Sequence, residues 1–124
     1  MSQVKLTVYW YPKCSTCRDA VKWLEKHNVG AGYTVLIDMV QTPPSKPLLK
    51  KLLKQSGLPM QRFFNTSGEL YREFKLSGKL PSLDEDQALD LLSKHGKLIK
   101  RPLIFSDTAV TVGFKEEEFK SRWL

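Results

Sequence analysis

The sequence predicts an α/β fold built around a mixed sheet. Three observations support this prediction: strand and helix patterns alternate in the N-terminal part, helical patterns fill the middle, and two short apolar runs near the end can form a hairpin. The 124 residues are 41% hydrophobic and 27% charged, which suits a single domain over 1–124 with its own core.

The N-terminal part carries a strand, a helix and a second strand. Apolar residues alternate with more polar ones at Val4, Leu6, Val8 and Trp10. That alternation is the period of a strand, and Pro12 ends it. A helical pattern follows from about Ser15 and stops near Gly30, and the β-branched, apolar segment 33–40 predicts the second strand. A β-α-β unit requires a parallel strand pair with a right-handed crossover.

Helical patterns then extend over an insertion at about 43–97. Ser45 is placed to cap a helix that carries a leucine stripe and ends at Gly57. A short helix is predicted at 69–76. The segment 82–85 has the form of a capping box and predicts the start of another helix.

The C-terminal part predicts two short strands and a last helix. The apolar runs 103–105 and 110–112 flank a turn at 106–108, and three glutamates at 116–118 suit the start of a helix. The order β-α-β, helical insertion, β-β-α is the outline of a thioredoxin-like fold, in which a hairpin extends the parallel pair into a mixed sheet.

The charge balance limits the classes of partner. Lys and Arg number 20 against 13 Asp and Glu, a formal charge of +7, which favours anionic partners. No nucleic-acid-binding motif accompanies this charge, so we expect no direct contact with nucleic acid. No apolar run reaches the ~18 residues of a membrane span, and no signal-like stretch precedes the first strand. We therefore expect a cytoplasmic protein that contacts no membrane.

One segment concentrates the basic residues. Between Asp38 and Glu69 the chain has five cations and no acid: Lys46, Lys50, Lys51, Lys54 and Arg62. The segment forms either a solvated helix face or a binding face.

The two cysteines, Cys14 and Cys17, form a C-x-x-C motif at the junction of the first strand and helix. Helix-start N–H groups stabilise an anion, and Lys13 and Arg18 add positive charge, so the pKa of Cys14 should lie below the free value of ~8.5. Cys17 lies one helical turn further on, so its thiol can reach the sulfur of Cys14. We predict that Cys14 is the nucleophile and that Cys17 resolves the adduct.

Two other interpretations of the cysteines remain open. They can be buried structural thiols, although the run from Pro12 to Cys17 is polar for a core. They can also bind zinc, with His27 and His95 completing four ligands, but the chain has no second cysteine pair, and we expect no metal.

A second chemical signal is Lys100-Arg101-Pro102 before the third strand. A proline can open a strand because its missing N–H costs no ladder hydrogen bond. In a thioredoxin-like fold this position faces the cysteine motif. The alternative is a basic pair on the surface at the start of a strand.

These motifs together resemble those of a known family. The residues that carry the resemblance are 14–18 (CSTCR), 100–104 (KRPLI), 63–72 (FFNTSGELYR) and 112–116 (VGFKE). The chain resembles the arsenate-reductase-like (ArsC) family, in its Spx/MgsR branch, over essentially its whole length. The resemblance implies a thioredoxin fold with a helical insertion, Cys14 as nucleophile, Arg101 as an oxyanion-binding or thiolate-stabilising group, and a cis Pro102.

The resemblance also implies a function. We expect a thiol–disulfide oxidoreductase with no bound cofactor, in which Cys14 attacks a disulfide, a glutathione mixed disulfide or an oxidised anion. Glutathione or another cellular thiol then resets the protein. The alternative is a redox-sensing transcriptional regulator that binds the C-terminal domain of the RNA polymerase α subunit. For that role the resemblance points to Gly57, with Lys50 and Lys54 beside it.

A glutaredoxin-coupled arsenate reductase is the second alternative. The reductases of the family use three arginines around the cysteine. This sequence keeps Arg101 and has Asn65 and Gly113 at the other two positions. We therefore expect weaker arsenate binding here, because guanidinium groups supply most of the charge neutralisation of an oxyanion.

Overall fold

The computed structural model describes residues 5–124. In order along the chain, its strands and helices are β1 (Leu6–Trp10), α1 (Ser15–Lys26), β2 (Thr34–Asp38), α2 (Lys46–Ser56), α3 (Glu69–Glu73), α4 (Leu76–Lys79), α5 (Glu85–Lys94), β3 (Leu103–Phe105), β4 (Val110–Val112) and α6 (Glu116–Trp123). The chain divides into two compact units. The first unit comprises the residues up to Asp38 together with Arg101–Leu124, and the second unit comprises Met39–Lys100. The predicted insertion at 43–97 falls within the second unit; that 1–124 is one domain stays a prediction.

The first unit contains one four-stranded sheet in the order β2-β1-β3-β4. β1 and β2 are parallel, whereas β3 is antiparallel to both β1 and β4. In the middle of β1, Val8 pairs with Leu36 on one side and Ile104 on the other. This arrangement confirms the predicted α/β class with a mixed sheet. The predicted strand residue Val4 lies outside the described residues.

The core of the first unit joins β1, α1, β3 and α6. Its buried members are Leu6, Val8, Ala20, Trp23, Leu24, Ile104 and Phe119. The residues from α1 recur at helical spacing, so one face of that helix is buried against the sheet. The ring of Trp23 meets that of Phe119 edge to face at 5.3 Å. Because β1 and α1 are both anchored in this core, the turn that joins them is held at both ends.

In the second unit, the predicted ends of α2 are confirmed. The Ser45 hydroxyl accepts a hydrogen bond from the Leu48 N–H at 3.3 Å, which satisfies one of the free donors of the first turn. Gly57 ends the helix with φ at +69°, a left-handed conformation that favours glycine.

The predicted capping box at 82–85 is wrong by two residues. Asp84 is the residue that caps α5: its carboxylate accepts the Gln87 N–H at 2.7 Å, and the Gln87 side chain accepts the Asp84 N–H at 3.1 Å. The Ser82 hydroxyl instead donates to the Lys79 carbonyl at 2.7 Å. Ser82 therefore closes the preceding turn, and a longer acceptor two residues later takes the cap.

The predicted helix at 69–76 is two helices, α3 and α4. Lys75 separates them with φ at +53°. The Lys75 N–H donates to the Arg72 carbonyl three residues back, which tightens the last turn of α3 and ends it. Phe74 lies edge to face on His95, with ring centroids 5.2 Å apart, so the segment between the helices is fixed by an aromatic contact.

Two helices of the second unit are tied by charged side chains. The Lys46 amine on α2 lies 2.9 Å from a carboxylate oxygen of Asp86 on α5, and Asp90 lies 2.9 Å from Lys94 on the same helix. Both contacts are at the surface and contribute little to stability. Within residues 5–124, no helix is both long enough and apolar enough to cross a membrane.

Candidate active site

Cys14 lies where the sequence predicts it, between the end of β1 and the start of α1. It is the N-cap of α1, with an extended backbone at φ −91° and ψ 122°. Its N–H donates to the Tyr11 carbonyl at 2.9 Å, and its carbonyl accepts the first helical hydrogen bond, from Arg18, at 3.1 Å. The first turn of α1 has no acidic residue. The free N–H groups of that turn therefore act on the half-buried Cys14 side chain without an opposing charge.

Cys17 lies one turn into α1 and is fully buried. Its sulfur accepts a hydrogen bond from the Tyr11 backbone N–H at 3.5 Å. Burial, together with the neighbouring Cys14, raises the pKa of the Cys17 thiol from 9.0 to about 12, and the Tyr11 hydrogen bond only partly opposes this. Cys17 is thus protonated at neutral pH.

The environment of Cys14, in contrast, lowers the pKa of its thiol. Partial burial alone would raise its pKa, but three groups on two neighbouring residues outweigh that effect: the backbone N–H and the thiol of Cys17, and the guanidinium of Arg101. The pKa of Cys14 consequently lies below its ordinary value, since each of these groups favours the thiolate. Both thiols are free in this structure.

Arg101 approaches the cysteine turn from the start of β3. Its guanidinium lies over the Tyr11 ring, 5.1 Å from the centroid, and it is one of the groups that lower the pKa of Cys14. Its Nη1 is buried and has no hydrogen-bond partner among the described residues. The donor capacity of this nitrogen is therefore unused among the described residues.

The residue after this arginine confirms an expectation from the family resemblance. The Arg101–Pro102 peptide bond is cis. The carbonyl of the buried Pro102 accepts a hydrogen bond from the Gly113 N–H at 2.9 Å, so this segment is tied to the end of β4. Gly113 itself has φ at +82°, which is a structural reason for glycine at that position.

Arg18 and Lys13 are the two other cations predicted to act on Cys14. Arg18 donates from Nη1 to the Pro12 carbonyl at 3.0 Å, so it braces the backbone of the turn. Lys13 is exposed. The groups that act on Cys14 are Cys17 and Arg101, and a substrate-binding or thiolate-stabilising role for Lys13, Arg18 and Pro102 stays a prediction.

The histidines that we considered as zinc ligands have other contacts. His27 lies at the end of α1, its Nδ1 2.8 Å from the Trp23 carbonyl, and its ring stacks on that of Trp23 at 4.0 Å. His95 belongs to the second unit. Within the described part of the chain, no three metal-ligating side chains come together.

The residues predicted for partner binding come together in the second unit. Lys50, Lys54 and Gly57 line one open cleft of about 730 Å³. The same cleft is lined by apolar side chains and by two acids: Leu53, Leu58, Pro59, Met60, Leu80, Leu83, Ala88, Asp84 and Glu85. The cleft thus has an apolar surface bordered by charges of both signs.

Asn65, also in the second unit, has a local structural role. Its N–H donates to the Leu98 carbonyl at 2.7 Å, and its side-chain oxygen accepts a hydrogen bond from the Ser67 hydroxyl at 3.4 Å. These contacts order the loop that precedes α3.

Comparison with known proteins supports the motif-based resemblance over nearly the whole chain. A model of the ArsC family matches residues 9–121. The chain is 51% identical to YusI of Bacillus subtilis over 97% of this chain and 99% of that protein. It is 28% identical to the global transcriptional regulator Spx of Listeria innocua, over 93% of this chain and 84% of the regulator. A solved ArsC family related protein from Bacteroides fragilis has a TM-score of 0.89 and 42% identity, over 97% of this chain and 98% of that one.

Proposed function

Because this chain belongs to the ArsC family, we propose that it is a thiol–disulfide oxidoreductase in which Cys14 attacks an oxidised sulfur and Cys17 resolves the adduct. The observation that carries the proposal is the contrast between the two thiols. Cys14 lies half-buried at a helix start with its pKa lowered, while Cys17, one turn away, is buried and protonated.

In the first step, the Cys14 thiolate attacks one sulfur of a substrate disulfide. A bond forms between that sulfur and Cys14, the substrate S–S bond breaks, and the second substrate sulfur leaves as a thiolate. Arg101 favours this step because its charge keeps Cys14 ionised. The positive charge of Arg101 also favours substrates with a carboxylate near the disulfide, such as a glutathione mixed disulfide.

In the second step, the sulfur of Cys17 attacks that of Cys14. The mixed disulfide breaks, its substrate sulfur leaves and takes up the Cys17 proton, and a Cys14–Cys17 disulfide forms. The high pKa of Cys17 comes in part from the neighbouring Cys14. Once Cys14 is held in a mixed disulfide it carries no charge, so Cys17 loses its proton more easily at the stage that requires it.

The cycle closes when two electrons from glutathione or another cellular thiol reduce the Cys14–Cys17 disulfide. Such a cycle suits a reducing compartment such as the cytoplasm, and in this proposal it runs without a bound cofactor.

Serine variants test the assignment of the two roles. With a glutathione mixed disulfide as substrate, C14S should lose turnover, and C17S should accumulate a covalent adduct at Cys14 that mass spectrometry detects. Lys120→Ala, an exposed change on α6, is the matched control and should leave turnover unchanged. If both cysteine variants reduce substrate like the parent, the proposal is wrong.

A second candidate function is a redox-sensing regulator that binds the RNA polymerase α subunit. It is favoured by the similarity to the transcriptional regulator Spx and by the cleft that Lys50, Lys54 and Gly57 share. The test is a pull-down with the isolated C-terminal domain of the α subunit, using oxidised and reduced protein. Binding that depends on redox state and is lost in the K50E/K54E variant supports the candidate, whereas absence of binding in both states removes it.

A further inference from the structure

Tyr11 contacts Cys14, Cys17 and Arg101, although its sequence position does not single it out. Its carbonyl accepts the Cys14 N–H at 2.9 Å, and its N–H donates to the Cys17 sulfur at 3.5 Å. Its ring lies beneath the Arg101 guanidinium, with the guanidinium carbon 5.1 Å from the ring centroid. The backbone contacts are open to any residue except proline, but the ring contact requires an aromatic side chain.

The ring contact matters because Arg101 has few other supports where it approaches Cys14. One terminal nitrogen of the guanidinium, Nη1, is buried and has no hydrogen-bond partner among the described residues. An arginine side chain has four rotatable bonds and leaves such a position readily unless a neighbour holds it. A ring face at this distance attracts the guanidinium electrostatically and covers its apolar faces, so it supplies the missing support.

We propose that Tyr11 is a positioning residue whose ring holds the Arg101 guanidinium against the Cys14 sulfur. The inference rests on the proposed function, in which Cys14 is the nucleophile. Tyr11 acts through Arg101 and does not exchange protons or electrons with the substrate. Its hydroxyl plays no part, so phenylalanine should replace it fully.

Substitutions of Tyr11 can separate the effect of its ring from the effect of its backbone hydrogen bonds. Tyr11→Phe keeps the ring and the backbone hydrogen bonds. Tyr11→Leu and Tyr11→Met keep the backbone hydrogen bonds but remove the ring, and having two ring-free variants guards against the failure of one to fold. Arg101→Ala removes the partner and, combined with Tyr11→Leu, completes a double-mutant cycle.

The experiment measures the rate of Cys14 alkylation by iodoacetamide from pH 5 to 10 in the full chain, with the modified cysteine identified by mass spectrometry. We expect Y11F to follow the parent profile. We expect Y11L and Y11M to move the profile to higher pH and to slow the reaction at pH 7 by roughly three- to tenfold. In the R101A background, Y11L should change the rate by less than about twofold.

The outcomes separate the inference from the proposed function. A Cys14 that is fast in the parent and equally fast in folded Y11L and Y11M overturns the role of Tyr11 and leaves the nucleophile assignment intact. A slowing by Y11L that persists in full without Arg101 also overturns it, because the effect then does not pass through the guanidinium. A Cys14 that is slow in the parent overturns the proposed function itself.

Discussion

At the scale of single residues, the two sulfurs of one motif have opposite surroundings. Cys14 faces the guanidinium of Arg101 and the N–H groups at a helix start, which lower its pKa despite partial burial. Cys17 is fully buried, and this raises its pKa to about 12. In the proposed reaction, this difference in pKa allows Cys14 to attack first and Cys17 to react in the second step.

The raised pKa of Cys17 predicts a loss of stability at alkaline pH. The folded protein keeps this proton up to about pH 12, whereas an unfolded chain releases it near the ordinary value of 9.0. The stabilising contribution is therefore complete below pH 9 and is lost progressively as the pH rises toward 12. We expect urea unfolding under reducing conditions to show a steeper fall from pH 8 to 11 in the parent than in Cys17→Ala. Parallel curves for the two proteins would contradict the assigned pKa.

Sequence reasoning found the cysteines and Arg101 but not the residue that joins them. The C-x-x-C spacing and the Arg-Pro pair mark their chemistry by residue type alone. Tyr11 has no such mark, because a tyrosine at the end of a strand fits the edge of a core equally well. The sequence places the positive charge of Arg18 near Cys14 but could not show its hydrogen bond to the Pro12 carbonyl, since the direction of a long side chain depends on backbone acceptors that a pattern does not specify.

At the scale of the elements, Gly57 and Gly78 form a contrasting pair in the second unit. Gly57 has φ at +69°, while Gly78 lies within α4, and a Cβ at either position would meet no atom within 4 Å. We therefore expect Gly57→Ala to destabilise the chain by about 1 kcal/mol through backbone strain, and Gly78→Ala to stabilise it by up to ~1 kcal/mol. Chemical denaturation of both variants measures this, and equal effects would show that backbone conformation does not decide them.

The start of α5 gives a second prediction. Because Asp84 rather than Ser82 forms the capping box, Asp84→Ala should cost about 0.5–2 kcal/mol of the free energy of unfolding. Ser82→Ala removes a hydrogen bond to the Lys79 carbonyl at the exposed surface, so its cost should be smaller. Denaturant midpoints compare the two variants, and a larger loss for Ser82→Ala would restore the capping box at 82–85.

The elements themselves were easier to predict than their ends. Alternation in β1 and the apolar stripe of α1 follow from burial against one core, which leaves a period in the sequence. The break at Lys75 leaves no such period in the sequence. The left-handed backbone conformation of this lysine depends on the contacts of its neighbours, such as that of Phe74 with His95. The family resemblance provided what local patterns could not: the cis peptide bond before Pro102.

At the scale of the whole molecule, membership of the ArsC family does not by itself make the chain an arsenate reductase. The family resemblance implies that Asn65 and Gly113 take the places of two reductase arginines, and the structure gives both residues local backbone roles. With arsenate, glutathione and glutaredoxin, we expect arsenite formation no higher than in the C14S control. Cys14-dependent arsenite production would show that a single arginine is sufficient.

The proposed function depends most directly on the ionisation of Cys14, and selective alkylation of the reduced chain at pH 7 measures that ionisation. With iodoacetamide and mass-spectrometric mapping, we expect Cys14 to react faster than the thiol of glutathione and Cys17 to remain unmodified over the same time. A mild oxidant should then convert the unmodified protein to a Cys14–Cys17 disulfide. If Cys14 reacts no faster than glutathione and the two sulfurs never bridge, the central claim is contradicted.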